Sequence, residues 1–385
     1  MKFYSPAIIT AKGKLVFGHG TNIVWNDVIA RHMSDKGHKI DYFYPSWNHQ
    51  GKMYNHLDPS ELSLVTRRLE ETMLKELNHF GVSEGYTHYR DTEEDSLENA
   101  QKYFRMLLER GFIVERGEEH FLDLSKVYNE TNFFKILEEI RYEPPHLKKR
   151  LIDLTKTLDG LYPVSKDRKY ATSISGSLRK INPIFDLAVS PTLFSEDPVD
   201  YAIDGCRTLP RGTFFPIVVW ASLFNKPFAR NICAHGYLEL KGYDRFKVSD
   251  IIKTVENPVI DSDVLRYCAL LPTNSLEDTQ ITPDTFTKGK KIIYRASNLS
   301  KHLVKHYGPQ RISNEGNEDM DRMIEGMSVV DAINIFQKRV YELSRKIEKG
   351  CKLNQTDITQ YLEMTKSIGS VFPSTVNRIA RILNG

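Results

Sequence analysis

The sequence predicts an α/β protein: a doubly wound parallel sheet in two halves, split by a short helical insertion and followed by a C-terminal α-helical bundle. Three observations predict it. Ala7–Thr10 and Ile40–Tyr44 are short, β-rich and turn-bounded, and a helical pattern with Val24, Val28 and Ile29 on one side joins them. That crossover has the length that parallel pairing requires. A second run of strands and helices fills residues 163–272, and beyond Pro272 the chain is mostly helical.

In chain order, the first element of interest is Gly13-Lys-Leu-Val-Phe-Gly-His19-Gly, a Gly-rich turn that runs into a helix. The unpaired N–H groups of a helix start and its dipole both favour negative charge, so the turn is a candidate phosphate site. Gly18 would let the backbone approach a nucleotide and His19 would add a donor. Residues 60–80 and 92–111 read as amphipathic helices rich in Glu, Leu and Arg. From 126 to 160 the pattern is helical again, broken by Pro144-Pro145. The expected boundaries are therefore 1–115 for the first half, 116–162 for the insertion, 163–272 for the second half and 273–385 for the bundle.

Within the bundle, Ile333, Phe336, Val340, Leu343 and Ile347 recur at steps of three and four, one apolar stripe of a packed helix. Phe286 to Arg311 holds Lys288, Lys290, Lys291, Arg295, Lys301, Lys305 and Arg311 and no acid. Such a run is either a solvated face or a polyanion contact.

Composition narrows the class without selecting a reaction. The chain has 385 residues, room for two or three domains, and a formal net charge of +3, which makes no global field for nucleic acid or membrane. Cys206, Cys233, Cys268 and Cys351 are scattered with no C-x-x-C pair, which argues against a disulfide framework and a zinc knuckle. Each is expected to be a buried small hydrophobe. With no leading apolar stretch and no run of membrane-spanning length, a cytoplasmic protein is expected.

Phe17-Gly-His-Gly-Thr-Asn-Ile-Val-Trp-Asn-Asp27-Val-Ile-Ala-Arg31 and the following Tyr44-Pro45-Ser-Trp47-Asn48-His-Gln-Gly51 resemble the opening of class I aminoacyl-tRNA synthetases, in the methionyl, leucyl and valyl branch. There an H-x-G-H turn leads a D-x-x-A-R helix, then a strand and a P-x-W/T-D-x-x-G turn. Tyr162–Ile174 is similar to the family's P-I-S-R-x-R-x-W-G-x-x-I-P segment, Phe185–Ser190 to its D-T-W-x-x-S strand, and Pro198–Gly205 to a P-V-D segment. Ala234-His-Gly236 and the stretch through Lys247 resemble H-G-x-L-x-x-x-G-x-K-M-S-K-S, and Asp263-Val-Leu-Arg266-Tyr resembles D-A-L-R-Y. The likeness spans about residues 7–275.

The resemblance implies a Rossmann-like nucleotide-binding fold and ATP-dependent activation of an amino acid, or a related carboxylic acid, as an acyl-adenylate passed to an acceptor such as tRNA. It implies ATP with Mg2+; zinc is not expected, because the cysteines are scattered. His19 and Lys247 would be catalytic; Gly18, His19, Gly236 and Lys247 would hold ATP; Trp47, Asn48 and His49 would line the substrate pocket. Lys288, Lys290, Lys291, Arg295, Lys301 and Lys305 would contact tRNA. Asp27 and Arg31, one turn apart, read as a structural pair. The departures from the pattern are Val16 for the first His, Asn48 for an acid, Asp244 for the first Lys of K-M-S-K-S, and Gly212 for a further His. Arg207 and Arg211 are candidate substitute cations. These departures leave open a tRNA-independent paralogue acting on a small molecule or protein, and a non-catalytic ligand or tRNA binder.

Overall fold

A computed structural model of the protein describes residues 1–5, 9–10, 16–47, 54–82, 86–90, 93–240, 250, 261–271, 279–326 and 328–384. The chain divides into two compact units, each assembled from separated stretches. Unit 1 is Met1–Leu15, Ile40–Lys75 and Glu84–Gly236; unit 2 is Val16–Lys39, Glu76–Ser83 and Tyr237–Gly385.

Unit 1 is organised by a parallel sheet. Its strands are β1 (Lys2–Tyr4), β2 (Ile9–Thr10), β3 (Asp41–Trp47), β4 (Tyr86–Arg90), β7 (Arg141–Glu143), β11 (Val199–Gly205) and β12 (Ala229–His235). Across the sheet the order is β4, β3, then β1 with β2 beyond it on the same edge of β3, then β11, β12 and β7, every pairing parallel. From β1 the chain fills one side through β3 and β4, and later the other through β11 and β12. Strand order therefore reverses between β1 and β11.

Alternation sorts the central side chains to two faces. The Phe3 ring stacks on Tyr201 at 5.0 Å, while Tyr4 stacks on Phe43 at 5.8 Å and donates its hydroxyl to the Leu187 carbonyl at 3.1 Å. The latter face meets α7 (Pro183–Val189), and α7 is in turn bonded to α8 (Phe215–Phe224), whose residues from Phe215 to Leu223 are all buried, through the Trp220 indole N–H and the Ala188 carbonyl at 2.8 Å. α8 is apolar all round, as a fully buried helix must be.

The expected amphipathic helices are α2 (Pro59–Leu77) and α3 (Glu94–Glu109). Residues 126–160 are only partly helical. They hold most of α4 (Leu124–Glu130), α5 (Phe133–Glu139) and α6 (Leu147–Thr157), but β7 interrupts them as an edge strand of the main sheet. The Pro144-Pro145 pair, which cannot continue a helix, stands where β7 ends. A three-stranded antiparallel sheet of β5 (Ile113–Arg116), β6 (Glu119–Asp123) and β8 (Leu161–Pro163) also lies here, where a helical insertion was expected. A small ribbon of β9 (Ser165–Lys166) and β10 (Lys180–Ile181) follows.

Phe185–Ser190, expected as a strand, is helical: Asn182 caps the Ile184 N–H and Pro183 takes the first helical position, a start signal stronger than the apolar run.

Unit 2 contains α1 (Phe17–Asp35) and the C-terminal helices: α9 (Ser262–Leu270), α10 (Pro283–Tyr307), α11 (Glu318–Glu325), α12 (Val329–Glu348), α13 (Gln355–Ser367) and α14 (Pro373–Leu383). A parallel pair, β13 (Leu238–Leu240) with β14 (Thr279–Ile281), precedes α10. Thr282 and Thr285 form a capping box at the start of α10, and Asn354 and Asp357 form another at α13. The expected stripe on α12 is buried at Ile333, Phe336, Val340 and Leu343 and half-buried at Ile347. α1 is buried at every position from Gly20 to Ala30, polar ones included, rather than along one side. Cys206, Cys233 and Cys268 are buried, but Cys351 is exposed just after the Gly350 turn that ends α12, contrary to expectation.

Candidate active site

In unit 1 the carboxyl ends of β3, β11 and β12 bring Trp47, Asp204 and His235 to the edge where doubly wound sheets take ligands. Trp47 is the last residue of β3; Asn48 and His49, which follow it, lie outside the described residues. Gly205 is in register with His235, and the Cys206 N–H donates to the His235 carbonyl at 2.8 Å, so the two strand ends are tied together. His235 is buried, its Nδ1 is 2.7 Å from the carbonyl of Gly236, and burial pushes its pKa down to about 4. The ring is neutral at physiological pH, so Nδ1 carries the proton and donates it to that carbonyl. Gly236, an expected nucleotide-binding residue, leaves the end of β12 in a geometry held by this bond.

Asp204 was not singled out from the sequence, although an acid directly after the apolar stretch Tyr201–Ile203 was a visible anomaly. Its carboxylate is fully buried and accepts from the Gly205 N–H at 2.8 Å, the Thr208 hydroxyl at 2.5 Å and the Thr213 hydroxyl at 3.0 Å. Burial pushes its pKa up to about 6, opposed by those three donors. Gly212 has no side chain because none fits: a Cβ there would overlap Asp204 Oδ2. The position that the resemblance gave to a His is thus occupied by the aspartate of the neighbouring strand. The turn continues as Thr208 N–H to Gly205 carbonyl at 2.9 Å and Arg211 N–H to Thr208 carbonyl at 2.9 Å, then a wide turn in which the Phe215 N–H reaches back five residues to the Pro210 carbonyl. Arg207 and Arg211 are exposed on it.

In unit 2, α1 begins at Phe17, so Gly18, His19 and Gly20 lie in its first turn rather than ahead of it. Val16 precedes it in extended conformation and gives no side-chain cap, and the first turn carries no acid. The His19 N–H bonds the Val16 carbonyl at 2.9 Å. Gly18 and His19 are half-buried, and a Cβ on Gly18 would stand 3.7 Å from the Tyr237 ring. Position 18 is therefore close to the residue that follows Gly236, with room for ordinary contact. Lys247, with Asp244, lies outside the described residues.

The six basic residues expected to contact tRNA all lie on α10 but not on one side of it: Lys288, Lys291 and Arg295 line one cleft, and Lys290 and Lys301 another. Lys288, Lys290, Lys291, Arg295, Lys301 and Lys305 are all exposed. The first three basic positions of one side, Lys288, Lys291 and Arg295, line a cleft of about 390 Å³ with Lys338 and Tyr341 of α12. The Arg295 guanidinium lies 4.9 Å from the centre of the Tyr341 ring. Lys338 and Tyr341 were not identified from the sequence, because nothing in it says which helix packs beside α10.

No protein-family model matches the chain, and no curated protein sequence is similar to it. Solved structures are similar in fold. Two of Mycobacterium tuberculosis methionyl-tRNA synthetase, one described as bound by and the other as in complex with methionyl-adenylate, match with TM-scores of 0.72 and 0.70. Each match covers 98% of this chain and 93% of the other, at 11% and 13% sequence identity. The chain has the class I synthetase-like fold, with a parallel Rossmann-like sheet and a helical C-terminal region.

Proposed function

We propose that the protein is an adenylate-forming ligase of the class I synthetase type, which joins an amino acid or related carboxylic acid to the α-phosphate of ATP and releases pyrophosphate. The observation that carries this reading is the match over 98% of the chain to structures described with an aminoacyl-adenylate. In such a reaction the substrate carboxylate attacks the α-phosphorus, the bond to the bridging oxygen breaks, and the β- and γ-phosphates leave together. The protein aligns the attacking oxygen and offsets charge spreading over the phosphates. Gly18 and His19 at the start of α1 are assigned to the phosphates, Gly236 to the nucleotide, and Lys247 to the leaving pyrophosphate. Trp47, Asn48 and His49 are assigned to the acid. Mg2+ is assigned to the triphosphate with which it enters.

The basic strip on α10 supports tRNA as acceptor, since exposed cations beside a tyrosine suit phosphates and unstacked bases. ATP–pyrophosphate exchange against all common amino acids, with and without total tRNA, tests the reading. Exchange with one acid supports it; silence across the panel by a protein that binds no ATP overturns it. Exchange and transfer that need no tRNA would assign the acceptor to a small molecule or another protein.

A further inference from the structure

We propose that Arg207 and Arg211 form a phosphate-binding arm at the carboxyl end of β11, held in place from beneath by Asp204 acting as a positioning residue. The proposal rests on the reading above for its ligand, the di- or triphosphate of a nucleotide, and on unit 1 alone for its geometry.

Three features carry it. The arm stands where strand order reverses, and both arginines are exposed residues there. The turn that bears them is not a loose surface loop. One buried carboxylate accepts from its beginning (Gly205), its middle (Thr208) and its end (Thr213), and the absence of a Cβ on Gly212 lets the backbone close over that carboxylate. The Cys206 N–H fixes the same turn to β12 through the His235 carbonyl. Arginines on a preset backbone give up less freedom on binding, and a guanidinium matches two phosphate oxygens at once. Asp204 has a second consequence. It places the protein's own anion at the start of the helical stretch that leads into α8, so a ligand phosphate is directed outward to the arginines rather than onto those N–H groups.

The test uses the full-length protein and inorganic pyrophosphate as probe, followed by calorimetry. Arg207→Ala/Arg211→Ala should weaken binding at least about tenfold, the equivalent of losing one charge-assisted hydrogen bond. Because Asp204→Asn could unfold the unit, the positioning role is read on the exposed Thr208. Thr208→Val should weaken pyrophosphate binding several-fold in a protein shown by circular dichroism to be folded at the assay temperature, and Thr208→Ser, which keeps the hydroxyl, should bind as the wild type does. Wild-type affinity in the double arginine variant would overturn the arm. Wild-type affinity in Thr208→Val would overturn the role of Asp204, and a wild-type protein that does not bind pyrophosphate would overturn both. A protein that binds pyrophosphate through these arginines yet exchanges with no acid would refute adenylate formation while leaving the arm intact.

Discussion

Asp27 and Arg266, 239 residues apart in sequence, form an ion pair at 2.7 Å with neither side chain exposed to solvent. The Arg266 guanidinium also donates to the carbonyls of Val371 at 2.7 Å, Ser370 at 2.9 Å and Phe80 at 3.2 Å. The Asp27 carboxylate also accepts from Arg31 at 2.8 Å, and Arg31 donates onward to the Gly81 carbonyl at 2.8 Å. One carboxylate and two guanidiniums thus join α1, α9 and two chain reversals of unit 2. This is the structural pair expected of Asp27 and Arg31, enlarged by a partner whose role local spacing could not disclose.

Removing either member of the buried pair strands the other charge without water. Asp27→Asn and Arg266→Met should each lower stability by about 3–5 kcal/mol, and together by less than the sum. Arg31→Ala, which leaves Arg266 in place, should cost about 1 kcal/mol. Urea unfolding of the three variants and the double variant checks the order.

Asp204 and His235 should show opposed pH effects. Asp204 is raised from 3.8 to about 6, so the native state holds an extra proton between those values and stability falls as pH rises through them. His235 is lowered from 6.5 to about 4, so the unfolded state holds the extra proton and stability rises with pH over nearly the same window. Each contribution is about 3 kcal/mol, and in the wild type they offset. Relative to the wild type, the stability of Asp204→Asn should climb from pH 4 to 6, and that of His235→Gln should decline from pH 4 to 6.5. Melting temperatures across that range decide it; parallel profiles for the two variants would refute the assignment.

Gly212→Ala should destabilise unit 1 by about 1–3 kcal/mol through overlap with the Asp204 carboxylate. The cost should shrink when Asp204→Gly is added, since the clash is then gone. A double-mutant cycle on thermal unfolding measures the coupling.

Ala171 has φ of +151°, a region that suits glycine, and it stands where the resembled segment carries a Gly. Its neighbours hold it there: the Tyr170 hydroxyl donates to the Leu57 carbonyl at 2.5 Å and the Thr172 hydroxyl to Asp186 at 3.2 Å. Ala171→Gly should therefore raise stability by about 1 kcal/mol, against the usual direction for that exchange in a strain-free site. A lower melting temperature would contradict the strain.

Replacing Lys288, Lys291 and Arg295 by Glu should weaken tRNA binding and flatten its dependence on salt by about one unit of slope per lost phosphate contact. The same changes made at Lys301 and Lys305, further along α10, report whether the cleft beside Tyr341 or the whole strip is used. Filter binding at several salt concentrations distinguishes them.

What was legible in the sequence was mostly local. Periodicity exposed α1, α2, α3 and the α12 stripe, and charge spacing exposed the strip on α10. β1 escaped because three residues show no alternation, although Phe3 and Tyr4 lie at the centre of the sheet. β7 escaped because a short strand beside two prolines looks like a helix break. Asp204 escaped because its meaning depends on Gly212 and Thr213, which only the turn brings beneath it, and Arg266 because its four partners come from segments more than 100 residues away. The resemblance supplied the fold, while the substrate turn at Asn48 and the loop at Lys247 lie outside the described residues.

Neither unit is a continuous piece of chain: the backbone changes unit after residues 15, 39, 75, 83 and 236. A ribosome delivers α1 long before it delivers Arg266, and the carbonyls that complete the Arg266 site come only with Ser370 and Val371. Until then the nascent chain carries a helix with Asp27, Asn22 and Asn26 among its apolar residues and no guanidinium from α9 to meet the carboxylate. Folding of unit 2 is thereby deferred until Ser370 and Val371 have been made, and no single cut in the gene can release either half as an independent protein.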